Sequence, residues 1–217
     1  MSLQTTDTVE RIVDAAERLF LEKGLGGVSV RAVTAEAGTN VAAVNYHFGS
    51  KAELLRAMVR RVFGQVGTEQ FRLLEQLESK VQAPPVEELL GAFAAPIFAL
   101  FDAQRAGDWG RAWMAARDAD RAGREAGHER PPMMFVDTAV TRRYHGALSL
   151  ALPHLPPDEL WWRFERANNL LMANQGMRAT ARAAATLGSA AADPPKQDER
   201  RWLLTFLAGA LSASASD

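Results

Sequence analysis

Apolar residues recur along this chain at intervals of three and four, and no run alternates apolar with polar over a strand's length. That spacing lays the apolar positions along one side of a helix. Between Asp7 and Lys23 they fall at Val9, Ile12, Val13, Ala16, Leu19 and Phe20. Asp7 and Glu10 have the spacing of a capping box, which sets the expected start, and Gly24 supplies the stop. After the Gly26-Gly27 corner a short helix is expected from an N-cap at Ser29 to Ala37, with Val30, Val33 and Ala37 inward. Gly38 breaks it, and Asn40 caps another short helix over Val41 to Tyr46. Two helices of about two turns each, meeting across Gly38-Thr39-Asn40, have the layout of a helix-turn-helix.

Ser50-Lys51-Ala52-Glu53 is a second capping box and opens a long helix to about Gln82, with Gly64 and Gly67 as places for a bend. At ~1.5 Å per residue it reaches about 45 Å, enough to join a small N-terminal domain, residues 1–52, to a larger one, residues 53–217. Prolines punctuate the remainder. Helices are expected over Val86 to Arg105 with a kink at Pro96, Asp108 to Glu125, Pro132 to Leu152, and Pro156 to Ala185. Ser189 to Asp198 reads as a loop, and a last helix carries Trp202, Leu203, Phe206, Leu207 and Leu211. The expected fold class is all-α.

Composition alters this picture only locally. With 217 residues, 47% hydrophobic and 24% charged, the chain has the make-up of a globular protein. No stretch of about 18 apolar residues is free of charges and breaks, so no membrane span is expected. Asp7, Glu10, Asp14 and Glu17 do not suit a secretory signal, and zero cysteines exclude disulfides and thiolate metal sites, so the expected location is the cytoplasm. A net charge of −1 does not announce a polyanion partner. Phosphate contact needs only a local patch, however. Between Asn40 and Arg61, the cations Lys51, Arg56, Arg60 and Arg61 are opposed by Glu53 alone. Catalysis has little to build on. His47, His128, His145 and His154 form no cluster, and the pair Glu125-x-x-His128 lacks the second copy that a di-iron bundle requires. No enzyme activity, cofactor or metal is expected.

The stretch from Val28 to Leu55, VSVRAVTAEAGTNVAAVNYHFGSKAELL, carries the function. Together with the amphipathic helix before it and the order Gly24, Gly38, Tyr46-His47-Phe48, Ser50-Lys51, it closely resembles the DNA-binding domain of the TetR/AcrR family. The resemblance implies that Ser29, Arg31, Asn40, Ala42, Ala43, Asn45, Tyr46, His47 and Lys51 face double-stranded DNA. The residue chemistry agrees. A recognition helix presents small or polar residues at its start. Asn45 suits an adenine edge, Val41, Ala42 and Ala43 suit thymine methyls, Tyr46 and His47 reach phosphates, and Lys51 stands at a helix N-terminus that attracts them. Phe48, Val44, Leu54 and Leu55 read as core.

The resemblance also implies a helical effector-binding and dimerisation domain after the DNA-binding one. An apolar pocket is expected at Phe93, Phe98, Phe101, Trp113 and Phe135, with Arg117, Arg142, Tyr144 and His145 as its polar groups; the same aromatic residues serve equally well as plain core. Residues 151–163 resemble the branch of the family that includes fatty-acid-responsive members, which implies an acyl or other small apolar effector. A homodimer interface is expected at Trp161, Phe164, Leu171, Trp202, Phe206, Leu207 and Leu211, with Ala167, Ala179 and Ala183 permitting close helix approach. The function implied is a repressor that binds a near-palindromic operator and is released by its effector. An activator of the same fold, or a helical small-molecule-binding module that does not bind DNA, are the other readings.

Overall fold

The computed structural model describes residues 3–102, 112, 116, 118, 138–185 and 195–215. Every regular element among them is helical: α1 (Leu3–Lys23), a 3₁₀ turn at Leu25–Gly27, α2 (Val30–Glu36), α3 (Val41–Phe48), α4 (Lys51–Glu78), α5 (Val86–Asp102), α6 (Thr138–Ala151), α7 (Pro157–Ala185) and α8 (Lys196–Ser212). They fall into two compact units, one of residues up to Gly64 with the described residues of 112–118, the other of Gln65–Asp102 and the described residues from 138 onward. The division lies within α4.

In the first unit, α1 begins four residues before the expected cap, so Asp7 is helical and lies 3.9 Å from Arg11, one turn on. Nothing between Leu3 and Thr6 breaks a helix, and propagation costs less than nucleation. Ile12, Ala16 and Phe20 of α1 are buried, as are Val33 of α2, Val44 of α3, and Leu54 and Met58 of α4. Two ionic clasps join these helices. Arg18 reaches Glu36 at 3.1 Å, and Arg61 of α4 binds Asp14 and Glu17 of α1, the latter at 2.6 Å. α4 runs unbroken through Gly64 and Gly67 but stops at Glu78, short of Gln82. Ser79 turns its hydroxyl back to the Gln76 carbonyl at 2.9 Å and the Lys80 N–H donates to the Leu77 carbonyl at 3.0 Å, a tightened last turn that closes the helix well ahead of Pro84-Pro85.

In the second unit, Leu74, Phe93, Ile97, Tyr144, Leu148, Phe164, Leu171, Leu207 and Leu211 are buried. The Phe93 ring stands edge-on to Tyr144 (5.0 Å between centroids) and to Phe164 (5.2 Å), knitting α5, α6 and α7. Arg163 of α7 binds Glu159 at 2.5 Å and donates to the carbonyls of Leu211 (3.1 Å), Ala213 (2.7 Å) and Ser214 (2.7 Å), filling acceptors left open at the end of α8. α5 contains Pro96 without interruption, α7 starts with Pro157 at its first helical position, and α8 starts at Lys196, inside the expected loop. Asp198 and Glu199 in its first turn favour that start. Of the helix expected over Asp108 to Glu125 only Ala112, Ala116 and Asp118 are described, all helical. Residues 103–105, Pro132 to Asp137 and Ser189 to Pro194, parts of other expected segments, lie outside the described residues, as do Glu125 and His128. No helix among those described is long and apolar enough to cross a membrane.

Candidate nucleic-acid interface

The helix-turn-helix is built by local capping. Ser29 Oγ accepts from the Ala32 N–H at 3.1 Å and starts α2. Gly38, at φ 61°, turns the chain in a conformation that a side chain would strain. Asn40 Oδ1 accepts from the Ala43 N–H at 2.8 Å and starts α3. α3 runs two residues further than the periodicity predicts because its stop is Gly49, at φ 72°, whose N–H donates to the Asn45 carbonyl at 2.9 Å. Ser50 Oγ then accepts from the Glu53 N–H at 3.2 Å and opens α4.

α3 has one buried anchor, Val44, with no exposed surface. Val41, Ala42, Asn45 and Tyr46 are exposed, and their spacing (i, i+1, i+4, i+5) makes one continuous outward face. Tyr46 is 83% exposed, the most of any large apolar or aromatic residue described. Its ring stands edge-on to His47 at 5.0 Å, and His47 in turn edges Phe48 at 6.5 Å. Ala43 and His47 are half-buried, while Ser29, Arg31, Asn40 and Lys51 are exposed. All ten residues expected to face DNA therefore reach the surface of the first unit.

The charge around them differs from the sequence count. A cavity of about 320 Å³ is lined by His47, Phe48, Glu53, Arg56, Ala57, Arg60 and Arg61. Arg61 is neutralised by Asp14 and Glu17, carboxylates from α1 that no local window includes. Burial opposes its charge, but the hydrogen bonds and field of Glu17 and Asp14 outweigh that and raise its pKa. Arg56 is buried 3.9 Å from Glu53. Lys51 and Arg60 are the exposed cations of the patch.

The expected effector residues divide. Phe93, Phe98, Phe101 and Tyr144 are buried in the second unit, whereas Arg142 is exposed and does not join them. His145 is half-buried, with Nε2 3.4 Å from the Pro157 carbonyl and its ring edge-on to Trp161 at 5.0 Å. Trp113, Arg117 and Phe135 lie outside the described residues. Gln70 was missed, because Thr68-Glu69-Gln70 reads as helix surface. The signal was its position, four residues from both Val66 and Leu74.

The expected dimer residues divide between the interior of the protomer and its surface. Phe164, Leu171, Leu207 and Leu211 are 1–3% exposed and pack mainly inside the protomer, although Leu207 and Leu211 also line the floor of a groove between α7 and α8. Trp161 is half-buried against His145. Trp202 (56% exposed) and Phe206 (62%) do face outward, joined by Trp162 (60%) and Leu170 (42%), which were not among the expected interface residues. α7 carries two apolar stripes, and the inner one resembled an interface. Between α7 and α8 lies a groove of about 670 Å³ lined by Trp162, Ala167, Leu170, Phe206 and Ala210, among others. The side chains of Ala179 and Ala183 lie outside the description.

Comparison with known proteins joins both units to one group. Residues 12–58 match the family model of bacterial regulatory proteins, tetR family, and residues 91–210, more than half of the chain, match the tetracyclin repressor-like C-terminal domain. The chain is 30% identical over 83 residues to the probable HTH-type transcriptional regulator YttP of Bacillus subtilis strain 168, covering 38% of each. It is 32% identical over 96 residues to the HTH-type transcriptional dual regulator CecR of Shigella flexneri, covering 44% of this chain and 37% of that one. The matches thus span less than two fifths of those relatives' length. Among solved structures, BioQ of Mycobacterium smegmatis superposes with a TM-score of 0.57 at 15% identity, over 93% of this chain and 95% of that one. RolR, solved without ligand, gives 0.57 at 17% identity, over 96% and 98%. At such identities the likeness is one of fold.

Proposed function

Because this chain belongs to the TetR family of bacterial regulatory proteins, we propose that it is a cytoplasmic transcription repressor, binding a near-palindromic operator as a homodimer and released by a small apolar effector. Residues 1–52 form the DNA-binding domain in this reading, and residues 53–217 the effector and dimerisation domain. The outward face of α3 carries the proposal: Val41, Ala42, Asn45 and Tyr46 are exposed around the single anchor Val44. A helix with small residues at its start enters a major groove about 12 Å wide, where Asn45 pairs with an adenine edge and Val41 and Ala42 meet thymine methyls. Tyr46 and Lys51 take backbone phosphates, which set register rather than sequence.

The exposed face of Trp162, Leu170, Trp202 and Phe206 supports pairing with a second copy, and two-fold pairing requires two half-sites. The effector acts by binding one dimer geometry better than the other. A gel shift and footprint on DNA upstream of the protein's own gene test this. The wild type is expected to protect a near-palindrome, with affinity falling steeply as salt rises. Tyr46→Ala should weaken binding about tenfold without lowering the melting temperature, since that side chain supports no core. No retardation of upstream DNA, or full affinity in both Tyr46→Ala and Asn45→Ala, would defeat the reading.

A further inference from the structure

In the core of the second unit a polar side chain stands where the apolar spacing calls for a leucine. Gln70 has no exposed surface. Its carboxamide is oriented by Phe93, whose carbonyl accepts from Nε2 at 2.7 Å; turned over, the amide would set two oxygens face to face. The nearby phenol is committed too, because Tyr144 donates its hydroxyl to the backbone oxygen of Gln70 at 2.9 Å. Gln70 Oε1 is thus buried and accepts no hydrogen bond from the protein. A second amide oxygen, Asn168 Oδ1, is in the same condition one turn beyond Phe164 on α7. The Phe93 ring packs edge-on to both Tyr144 and Phe164, and Phe93 and Tyr144 each share a hydrogen bond with Gln70. Buried acceptors without donors are rare in folded proteins, because the hydration they lose is not replaced.

The charges among the described residues of this unit are disposed elsewhere. No Lys, Arg or His is buried among its described residues. Arg143 binds Glu78 at 2.5 Å, His145 faces the Pro157 carbonyl, and Arg163 is held by Glu159 and the end of α8. Arg200 of α8 pairs with Asp102 at 2.7 Å over the Phe98 ring; its buried Nε also lacks a hydrogen bond, but it faces the last turn of α5. Among the described residues, a carboxylate entering beside Gln70 would meet carbonyl oxygens and no buried cation, whereas a hydroxyl or N–H meets the acceptors that lack one.

We propose that the effector is a neutral, largely apolar molecule with a hydrogen-bond donor, and that Gln70 Oε1 accepts that donor. The proposal rests on the reading of this chain as an effector-controlled repressor, and within the acyl or other small apolar effectors that the 151–163 resemblance implies it sets neutral donors above free acids. Matched triplets test it on the full-length protein by calorimetry and thermal shift: 4-ethylphenol, 2-naphthol and 4-phenylphenol, each beside its methyl ether and the corresponding carboxylic acid. In at least one triplet the phenol is expected to bind about tenfold tighter than ether and acid. Gln70→Met should bring the phenol within about twofold of its ether. If that variant does not fold, Gln70→Leu should narrow the same ratio, and the wild-type comparison stands without either. The proposal is overturned if no triplet binds, if ether or acid matches the phenol in every triplet that binds, or if the preference survives Gln70→Met. A gel shift on the same preparation separates the two failures. Protein that retards its operator yet shows no such preference refutes the effector chemistry alone, and protein that retards no upstream DNA refutes the repressor.

Discussion

The phenol of Tyr144 is buried, and desolvation, reinforced by the Glu78 carboxylate, raises its pKa well above the ordinary 10.0. The unfolded chain therefore starts to release this proton near pH 10 while the folded chain retains it. Above that pH the folded state binds more protons, so stability falls as pH rises. Tyr144→Phe removes the group and its bond to Gln70. Urea melts should show a loss of about 1 kcal/mol near neutrality and a flatter decline above pH 10 than in the wild type. An unchanged alkaline slope would mean that Tyr144 titrates normally. Gln70 makes the companion point about legibility. Its register was readable in the spacing, but that its amide is buried against Phe93 depends on α5 lying alongside, and no local window contains that.

Among the elements, the contact of α4 with α1 shows how packing redirects charge. Arg61 counts as one of four cations near the recognition helix, yet Asp14 and Glu17 hold it. Arg61→Met should cost about 1 kcal/mol, a modest amount because the side chain is 32% exposed, and the loss should shrink in high salt. Operator affinity should stay within about threefold of wild type, since this charge is not offered to phosphate. Melts in low and high salt, with a gel shift, check both parts; a large drop in DNA affinity with an unchanged melt would return Arg61 to the DNA-facing set. Helix starts were more legible. Ser29, Asn40 and Ser50 act within three residues of themselves, so their caps appear in the sequence as they do in the structure. The longer α3 follows from Gly49, a stop overlooked although it is equally local.

For the protein as a whole, the proposed pairing depends on the apolar surface that α7 and α8 leave outside the protomer core. Phe206 is 62% exposed, so Phe206→Glu should leave the protomer's fold intact while placing a charge in the dimer face. Light scattering is expected to show a monomer, with unchanged helical content by circular dichroism. Operator affinity should drop by about 100-fold or more, because each half-site must then be held alone. A stable dimer in this variant would place the interface elsewhere. The seven interface residues expected from the pattern divided between core and surface because periodicity reveals apolar stripes without saying which of two will be covered.

The helices, most of their caps and the turn at Gly38 follow from the order of residues, since each depends on groups a few positions apart. The resemblance over residues 28–55 is of the same kind, a short ordered motif whose meaning survives without its surroundings. Folding in three dimensions decided the rest: that α1 carboxylates silence Arg61, that Gln70 is buried with its amide on the Phe93 carbonyl, and that Trp162 rather than Phe164 faces outward. Each joins residues distant in the chain, where burial and ion pairing act through space.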